Sequence, residues 1–583
     1  MQDNRAQNVV DEPSDDDIDA LLDKSPDSPH TALRSLLRNA FSRIADAEFS
    51  HDNAARLLCD GPANYPVWLA AIAEAKRVVH LENYIIDDDA VGQEFADALM
   101  RAAARGVKCR VLYDWLGCGI RTPRRFWRML RDGGVEVRCY NPPRLLTPVA
   151  WISRDHRKLL TVDGTVAFAG GLCISKHWTP DPARDRAAWR DTALEIRGPA
   201  VRHLEAAFAD SWAAAGAPLP PEDLPPEDPS RDLPVAANED AAGDKDAGDP
   251  AAPAVPIGDV PPSQSTDFIG PLDLWVVAGR PDNMGLYRLQ QMIASTVKHR
   301  LWLADAYFVA TTGYVNTLTD AARAGVDVRL LVPGSSDVPL IKALSLAEYR
   351  PLLEAGVRVF EWNGPMMHAK TTVADSCWAR VGSSNSNLAS WISNRELDIT
   401  IDDRVFARAM EAMYLRDLRN CTEIVLQAGK VRPGGGYVAQ KEEEADLPPA
   451  PVTAHAATWS QAAGRNPIGR GGQRANAGRL LAGTIGAGSS IGASISQHRA
   501  LTPTEARVLA VGGLVLVALG LIAVFAPKLI AYPLAVIAAW LGIALLLRAW
   551  RLRFPKRSMP GTSMEGGNHA SGGERTRTGD SRL

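Results

Sequence analysis

A chain of 583 residues, with 46% hydrophobic and 23% charged residues, is too long for a single compact core and has the composition of an ordinary globular protein. Its formal net charge of −4 argues against a dedicated nucleic-acid binder. Its seven cysteines form no C-x-x-C pair and no metal-ligand cluster, which favours a reducing compartment. The acidic first residues lack the basic start and apolar core of a secretory signal, so we expect no export.

Four stretches have compositions that bury too little apolar surface to fold. They are an acidic N-terminus at 1–30, a linker rich in Pro, Ala and Asp at 215–262, a tether rich in Gly, Ala and Ser at 431–505, and a basic tail at 549–583. We expect disorder or extended chain in all four. The predicted folded units are therefore 31–214 and 263–430.

These two units repeat the same order of segments. In each, a helical pattern rich in Ala and Leu stops at a glycine and is followed at once by a β-branched run, and this happens twice per unit. The glycines are Gly106 and Gly134 in the first unit, and Gly325 and Gly356 in the second. Strands alternating with helices indicate right-handed crossovers. We predict an α/β fold of two pseudo-symmetric halves, each a mainly parallel sheet flanked by helices.

A hydrophobic pair of segments follows the tether. No residue is charged from 508 to 527 or from 529 to 547, and each run approaches the length that crosses a bilayer. We predict a transmembrane helical hairpin at 506–548, and two buried core helices are the alternative. Basic residues flank both ends, so the positive-inside rule predicts a multi-pass membrane protein with both flanks, and hence the two folded units, on the cytoplasmic side.

The chemistry-bearing residues form one motif that occurs once in each half. The first copy carries His156, Lys158 and Asp163, and the second carries His368, Lys370 and Asp375, both as H-x-K-x4-D. On a strand, His and Lys two residues apart share a face. If the halves pack about a pseudo-twofold axis, both pairs meet in one pocket. Two lysines there attract a phosphodiester, one neutral histidine attacks phosphorus, and the other, protonated, supplies a proton to the leaving group.

The segments around these motifs carry a family resemblance. AFAGG follows the first motif and VGSSNSN the second, while WRDTALEIRGPAV, AYFV, RLLVPGSSD and MMHAKTTVAD occupy further positions in the repeat. Over roughly residues 50–215 and 265–430 the chain resembles the phospholipase D superfamily, and within it the bacterial cardiolipin synthase branch. The resemblance implies a phosphohistidine intermediate and needs no metal or cofactor.

The resemblance also implies a role for each matching residue. His156 matches the nucleophile and His368 the general acid and base. Lys158 and Lys370 match the lysines that bind phosphate, assisted by Ser383 and Asn385 in GSSN. The carboxylates Asp191 in WRD and Glu396 in NREL match the groups that orient His156 and His368 respectively. Asp163 and Asp375 are expected to support the site through hydrogen bonds. Cys173 stands where the family often has Asn, and a thiol is a poor substitute for an amide donor.

Three other features leave two readings open. Arginines at 121–131, interleaved with Phe126 and Trp127, fit either anionic head groups or a solvated helix face with two buried aromatics. His177 and Trp178 either line the pocket mouth or pack within a loop. The acidic run 87–89 either holds a divalent cation or forms a solvated turn.

The leading functional hypothesis is a phosphatidyltransferase that makes cardiolipin from two phosphatidylglycerol molecules at a membrane. The alternatives are hydrolysis of phospholipids to phosphatidic acid, a nuclease, and a non-catalytic scaffold. The acidic charge balance disfavours a nucleic-acid partner, and the intact motifs disfavour a scaffold. The oligomeric state stays open.

Overall fold

The computed structural model describes most of both predicted halves. The described ranges are 38–119, 121–143, 153–224, 268–281, 283–427 and 430–437, with scattered helical positions between 517 and 546. The predicted acidic N-terminus, the basic tail and most of the linker, tether and membrane hairpin lie outside these ranges. Among the described residues, no helix has both the length and the apolar character needed to span a bilayer.

Sixteen strands and ten helices are named among these residues. The strands are β1 Glu48–Cys59, β2 Val78–Asn83, β3 Lys108–Asp114, β4 Glu136–Tyr140, β5 Lys158–Val162, β6 Val166–Gly170, β7 Thr192–Arg197, β8 Ile269–Gly279, β9 Arg300–Ala304, β10 Asp327–Pro333, β11 Arg358–Trp362, β12 Thr371–Ala374, β13 Trp378–Gly382, β14 Glu396–Asp402, β15 Cys421–Gln427 and β16 Lys430–Gly436. The helices are α1 Asp60–Glu74, α2 Ala90–Ala104, α3 Trp115–Cys118, α4 Arg124–Asp132, α5 Ala200–Ala215, α6 Gly285–Thr296, α7 Thr312–Arg323, α8 Pro339–Glu354, α9 Leu388–Ile392 and α10 Arg404–Leu418.

All sixteen strands join one continuous sheet, in the order β16-β15-β11-β10-β9-β12-β13-β14-β8-β1-β7-β6-β5-β2-β3-β4. The middle of this order, β14-β8-β1-β7, shows the pseudo-symmetry. β1 is the first strand of the first half and β8 is the first strand of the second, and the two pair with each other antiparallel. Two halves were predicted, and the sheet joins them edge to edge.

The predicted mainly parallel sheet is wrong. Among the described strands, parallel pairing is confined to β2-β3-β4 and β9-β10-β11, where a helix makes each crossover. The motif strands β5 and β12 instead enter antiparallel runs with the strands that follow them. Adjacent strands joined by a turn of two to four residues must be antiparallel. Such short turns, for example the one between β5 and β6, occur in the part of each half that carries the motif.

The predicted helix-to-strand junctions are confirmed. Gly106, Gly134, Gly325 and Gly356 all have φ between +86° and +98°. This left-handed conformation suits glycine, since it carries no Cβ to clash with the neighbouring carbonyl. Each glycine ends a helix and turns the chain into the next strand.

The folded halves extend beyond the predicted boundaries. Past 214, Leu219 is buried and Asp223 binds Arg110 (2.6 Å) and Lys108 (2.6 Å). Past 430, β16 pairs with β15, so the first residues of the predicted tether belong to the sheet. Composition did not reveal these short extensions because they add little apolar surface of their own.

One of the hydrophobic cores belongs to both halves. It joins β6 and β7 of the first half to β13 and β14 of the second, covered by α5 and α10, through residues such as Ala169, Ile196, Phe208, Val381 and Ile399. The motif strands β5 and β12 contribute Leu159 and Val373 to this shared core. The junction between the halves is therefore a packed interior, which can hold side chains from both halves in fixed positions.

Candidate active site

The two motif histidines lie where the halves are joined by reciprocal backbone hydrogen bonds. His156 N–H donates to the carbonyl of Arg395 (2.9 Å), and Arg395 N–H donates to the carbonyl of Arg154 (2.8 Å). In the same way His368 N–H donates to the carbonyl of Arg190 (2.7 Å), and Arg190 N–H donates to the carbonyl of Met366 (2.9 Å). Each histidine is thus held at the backbone by the opposite half, just before its motif strand begins.

The imidazoles are oriented by carboxylates of the opposite half as well. His156 Nδ1 lies 2.9 Å from Glu396 Oε2, and His368 Nδ1 lies 2.7 Å from Asp191 Oδ2. The predicted assignment of Asp191 to His156 and of Glu396 to His368 is therefore wrong: the pairs are crossed. We call His156, Lys158 and Glu396 the first histidine centre, and His368, Lys370 and Asp191 the second histidine centre.

Different groups hold the two orienting carboxylates. Glu396 accepts from the Ser383 hydroxyl (2.5 Å) and from the Asn394 amide (3.2 Å). Asp191 accepts from the Trp178 indole N–H (2.8 Å) and from the backbone N–H of Thr192 (2.9 Å). Both carboxylates are buried, so these donors replace water that the groups would otherwise bind.

Ser383 was predicted to assist phosphate binding, and its contacts give it another task. Its hydroxyl proton goes to Glu396 and its oxygen accepts from the Leu397 N–H (2.9 Å). A serine hydroxyl has one proton to donate. Ser383 therefore orients Glu396 and has no second proton for a phosphate oxygen.

Asn385 keeps an open amide. The side chain is buried, and its Oδ1 has no hydrogen-bond partner among the described residues. The residue at the corresponding place of the first half is Cys173, which is buried and lies within electrostatic reach of both Lys158 and Lys370. An amide carries two N–H donors as well as its oxygen, whereas a thiol offers only a weak donor.

Each motif lysine folds back onto its own histidine and lies over a tyrosine. Lys158 Nζ donates to the His156 carbonyl (2.6 Å) and lies 5.2 Å from the Tyr84 ring centre. Lys370 Nζ donates to the His368 carbonyl and lies 5.9 Å from the Tyr307 ring centre. The same tyrosines meet the imidazoles edge to face, so each aromatic ring fixes a lysine and a histidine together.

The charge states of the site differ between the two centres. Burial raises the pKa of Glu396 to about 7, although Lys158 opposes the shift. Burial also tends to raise the pKa of Asp191, but His368, Lys370 and the Trp178 indole outweigh it and lower that pKa to about 2. Burial, assisted by Lys370, lowers the pKa of His368 to about 3. At neutral pH the second centre therefore pairs an ionised Asp191 with a neutral imidazole.

The lysines show that the two centres share one site. Burial lowers the pKa of Lys158, and burial together with Lys158 lowers the pKa of Lys370 to about 8. Lys158 also lowers the pKa of His368, a residue of the other half. Cations repel in this way only over short distances, so the two imidazole–ammonium pairs lie near each other at the junction of the halves.

Asp163 and Asp375, named with the catalytic residues in the sequence motif, lie at the far ends of the motif strands. Asp163 accepts from the backbone N–H groups of residues 76, 77 and 78, and Asp375 from those of residues 298, 299 and 300. The strand from Lys158 to Asp163 spans roughly 17 Å at about 3.3 Å per residue. Both aspartates therefore bind the backbone that leads into β2 or β9, at the end of the motif strand that lies away from the histidines, and not around the reacting groups as expected.

The three ambiguous features of the sequence have clear positions. The arginines at 124, 125 and 128 are exposed on α4 while Phe126 and Trp127 are buried, which is the arrangement of a solvated helix face. Trp178 is buried and contacts both Asp191 and the His368 ring, so it belongs to the site. Asp89 caps α2 and Asp88 pairs with Arg125 (3.1 Å), which fits the turn rather than a cation site.

Sequence reasoning did not single out Arg190 and Arg395. Arg190 binds Asp417 on α10, and Arg395 binds Asp210 on α5, in both cases across the junction. The signal was present, since an arginine immediately precedes each orienting carboxylate, as Arg-Asp in one half and Arg-Glu in the other. Tyr84 and Tyr307 were likewise not singled out.

Comparison with known proteins agrees with this architecture. A family model described as "Cardiolipin synthase, PLD-like domain" matches residues 68–212 and 289–418. The chain is 31% identical to the cardiolipin synthase of Alkalihalophilus pseudofirmus, covering 69% of this chain and 73% of that protein. It is 32% identical to cardiolipin synthase A of Pseudomonas aeruginosa, covering 64% of this chain and 68% of that protein.

Among solved structures, phosphatidylserine synthase of Haemophilus influenzae aligns with a TM-score of 0.48 at 15% identity, covering 66% of this chain and 91% of that one. The sequence relatives carry the assignment. By its matched residues and its relatives, the chain belongs to the cardiolipin synthase family of phospholipase D-like proteins.

Proposed function

We propose that the protein transfers a phosphatidyl group from one phosphatidylglycerol molecule to a hydroxyl of a second, giving cardiolipin and glycerol. The observation that carries the proposal is the crossed pairing of each motif histidine with a carboxylate of the opposite half. Such an arrangement builds two oriented imidazoles and two buried ammonium groups at one junction. This set of groups suits a phosphodiester anion. The two ammonium groups can neutralise the charge of a lipid donor's phosphodiester, so its binding needs no metal ion.

In the first step His156 acts as the nucleophile. Its Nδ1–H donates to Glu396, which leaves the Nε2 lone pair free to attack phosphorus. The P–N bond forms as the P–O bond to glycerol breaks, and the imidazole becomes positively charged. An ionised Glu396 stabilises that charge, so the step favours pH values above the pKa of Glu396, about 7.

The departing glycerol oxygen takes a proton from His368. In the free protein burial and Lys370 keep this imidazole neutral. A phosphodiester anion bound to Lys370 offsets the repulsion from that ammonium and adds a negative charge nearby, and both effects raise the pKa of His368. Substrate binding therefore favours protonation of His368, which supplies the proton that the leaving group requires. Asp191 stabilises the resulting imidazolium.

In the second step the neutral His368 removes a proton from a hydroxyl of the second phosphatidylglycerol. The resulting oxygen attacks phosphorus, the P–N bond breaks, and His156 regains its neutral form. Water in place of the lipid hydroxyl gives phosphatidic acid instead. The buried surroundings of His368, which include Trp178 and Trp189, limit access of water to this proton acceptor.

A membrane position completes the proposal. The uncharged runs at 508–527 and 529–547 would anchor the protein in the bacterial inner membrane and hold the catalytic halves on its cytoplasmic side. Anchoring would place the pocket where both lipid substrates lie.

The test uses the full-length protein purified in detergent, supplied with phosphatidylglycerol in the presence of a chelator. Mass spectrometry of the products should find cardiolipin and glycerol in equal amounts. If phosphatidic acid forms without cardiolipin, the activity is hydrolysis and not phosphatidyl transfer. Cleavage of DNA without turnover of the lipid would replace both by a nuclease activity.

A further inference from the structure

Each orienting carboxylate is preceded by an arginine that reaches into the opposite half. Arg190 binds both oxygens of Asp417 on α10, with Nε–Oδ1 and Nη2–Oδ2 distances of 2.8 Å. Its Nη1 donates to the Asp191 carbonyl and to the Thr192 hydroxyl (2.9 Å). Bidentate contact of this kind fixes the guanidinium plane as well as its position.

Arg395 occupies the related place in the other half. Its Nη1 donates to Asp210 on α5 (2.5 Å), and Asp210 also binds Arg280 (3.2 Å). α5 follows β7 and α10 follows β14, so the two acceptors lie on equivalent helices of the repeat. The Asp210 side chain is 31% exposed and the Asp417 side chain is 12% exposed, so the Arg395–Asp210 ion pair is the more exposed to solvent.

The backbone carbonyl of each arginine also binds the opposite half. The carbonyl of Arg190 accepts from His368 N–H, while the next residue, Asp191, accepts from the His368 imidazole. The carbonyl of Arg395 accepts from His156 N–H, while Glu396 lies against the His156 imidazole. Two consecutive residues of one half therefore hold the main chain, the imidazole and a helix of the other half.

We infer that Arg190 and Arg395 are positioning residues that set the orientation of His368 and His156, respectively, by anchoring the adjacent carboxylate to the opposite half. The inference rests on the proposed phosphatidyl transfer for the roles of the two histidines. It predicts that each arginine affects one chemical step. Loss of Arg190 impairs proton delivery by His368, and loss of Arg395 impairs attack by His156.

Two substrates separate these effects from a loss of folding. Glycerol must be protonated as it leaves phosphatidylglycerol, whereas the nitrophenolate of bis(p-nitrophenyl) phosphate leaves without a proton. The full-length variants Arg190→Gln and Arg395→Gln are compared with wild type for the first turnover of each substrate. Arg280→Gln is the control, since it also removes an ion pair across the junction but leaves Arg395 bound to Asp210 and does not precede an orienting carboxylate in the chain.

The expected result is specific to each variant. Arg190→Gln slows the first turnover of phosphatidylglycerol by about 10–100-fold and leaves the first release of nitrophenolate within about threefold of wild type. Arg395→Gln slows both substrates by a similar factor, because nucleophilic attack precedes both. Arg280→Gln changes neither substrate by more than about twofold.

Other outcomes are equally decisive. Equal losses on both substrates in Arg190→Gln, or no loss in either arginine variant, overturn the positioning inference. The opposite pattern, with nitrophenolate release preserved in Arg395→Gln alone, keeps the inference and exchanges the proposed roles of the histidines. A wild-type protein that releases nitrophenolate but makes no cardiolipin refutes the proposed function while the arginine comparison still stands.

A second variant covers the case in which Arg190→Gln does not fold. Asp417→Asn leaves the arginine in place and removes the charge of its partner. It should show the same substrate dependence with a smaller loss, of about 3–10-fold on phosphatidylglycerol. An Asp417→Asn protein that slows both substrates alike also overturns the inference.

Discussion

The two histidine centres share one motif but lie in opposite surroundings. Three positions that flank His156 carry Arg154, Asp155 and Arg157, and the corresponding positions around His368 carry Met366, Met367 and Ala369. All six residues are buried. The neighbouring strand repeats the contrast, with the buried Glu82 on β2 where β9 has Ala304. The sequence flanks of His156 thus carry buried charge, whereas those of His368 are apolar, and the charged neighbours of the second centre come from elsewhere in the fold, such as Asp305 near Lys370.

The orienting carboxylates follow the same division. Glu396 has a pKa of about 7 and accepts a hydrogen bond from a serine hydroxyl. Asp191 has a pKa of about 2 and accepts a hydrogen bond from an indole N–H. The first centre can change its charge near neutral pH, and the second stays ionised at its carboxylate. The motif therefore supplies the reacting groups, and the flanking residues decide when each centre is charged.

The largest effect should come from removing the imidazoles themselves. His156→Ala should lower turnover of phosphatidylglycerol by about 10⁴-fold or more, because it removes the imidazole that forms the P–N bond in the proposed first step. His368→Ala should lower it by about 10²–10⁴-fold. Turnover is followed by mass spectrometry, and the covalent intermediate by acid-labile phosphate on the denatured protein.

The intermediate distinguishes the two centres. His368→Ala, given bis(p-nitrophenyl) phosphate, should retain the acid-labile phosphate because its nucleophile is intact. His156→Ala should carry none. Label on the His156→Ala protein would assign the nucleophile to the second centre.

Neutralising the carboxylates should have unequal effects. Asp191→Asn replaces a group that is fully ionised at neutral pH, and we expect a loss of about 10³–10⁴-fold because His368 adopts the wrong tautomer. Glu396→Gln should cost less, about 10²-fold at pH 7. The amide oxygen of Gln can still accept from His156 Nδ1–H, and only about half of Glu396 is ionised in the wild type at that pH, which accounts for about a twofold part of the difference. Equal losses for the two variants at pH 7 would contradict the difference between the centres.

The pH profile carries the sign of the same difference. In wild type, turnover should rise with pH as Glu396 ionises near pH 7 and fall as Lys370 loses its proton near pH 8. Glu396→Gln should remove the rising limb and keep the falling one. A rising limb that survives in Glu396→Gln belongs to another group.

Buried charge near the first centre should also affect stability. Arg157 donates to the carbonyls of Ala207, Glu396 and Gly279 and to the Ser211 hydroxyl. Arg157→Met removes all four of these hydrogen bonds and a buried charge, so we expect the free energy of unfolding to fall by about 3 kcal/mol. Ala369→Gly, at the corresponding position of the second half, should cost about 1 kcal/mol. Denaturant titration of the detergent-solubilised proteins measures both, and similar losses would remove the contrast.

The sequence predicted the reacting groups but not their partners. The repeat and the glycine junctions followed from the residues themselves, because those signals are local, whereas the meeting of His156, Lys158, His368 and Lys370 required the further assumption that the halves pack about a pseudo-twofold axis. The crossing of Asp191 and Glu396 depends on how the halves meet through β1 and β8, and no local pattern encodes it. Trp178 was ambiguous for a related reason, since its indole acts only through the folded position of Asp191.

The smallest predicted effect concerns the serine of the first centre. The Ser383 hydroxyl lowers the pKa of Glu396, so Ser383→Ala should move the rising limb of the pH profile to higher pH and slow turnover at pH 7 by about tenfold. The first half has Gly171 at this place in the repeat, and a Cβ added there would lie 2.0 Å from Asp191 Oδ1. Gly171→Ser therefore cannot give Asp191 the same hydroxyl, and it should instead displace that carboxylate and lower turnover more than Ser383→Ala does. If Gly171→Ser is as active as wild type, the close packing of Asp191 is not what separates the two centres, and the indole of Trp178 remains as the difference to test.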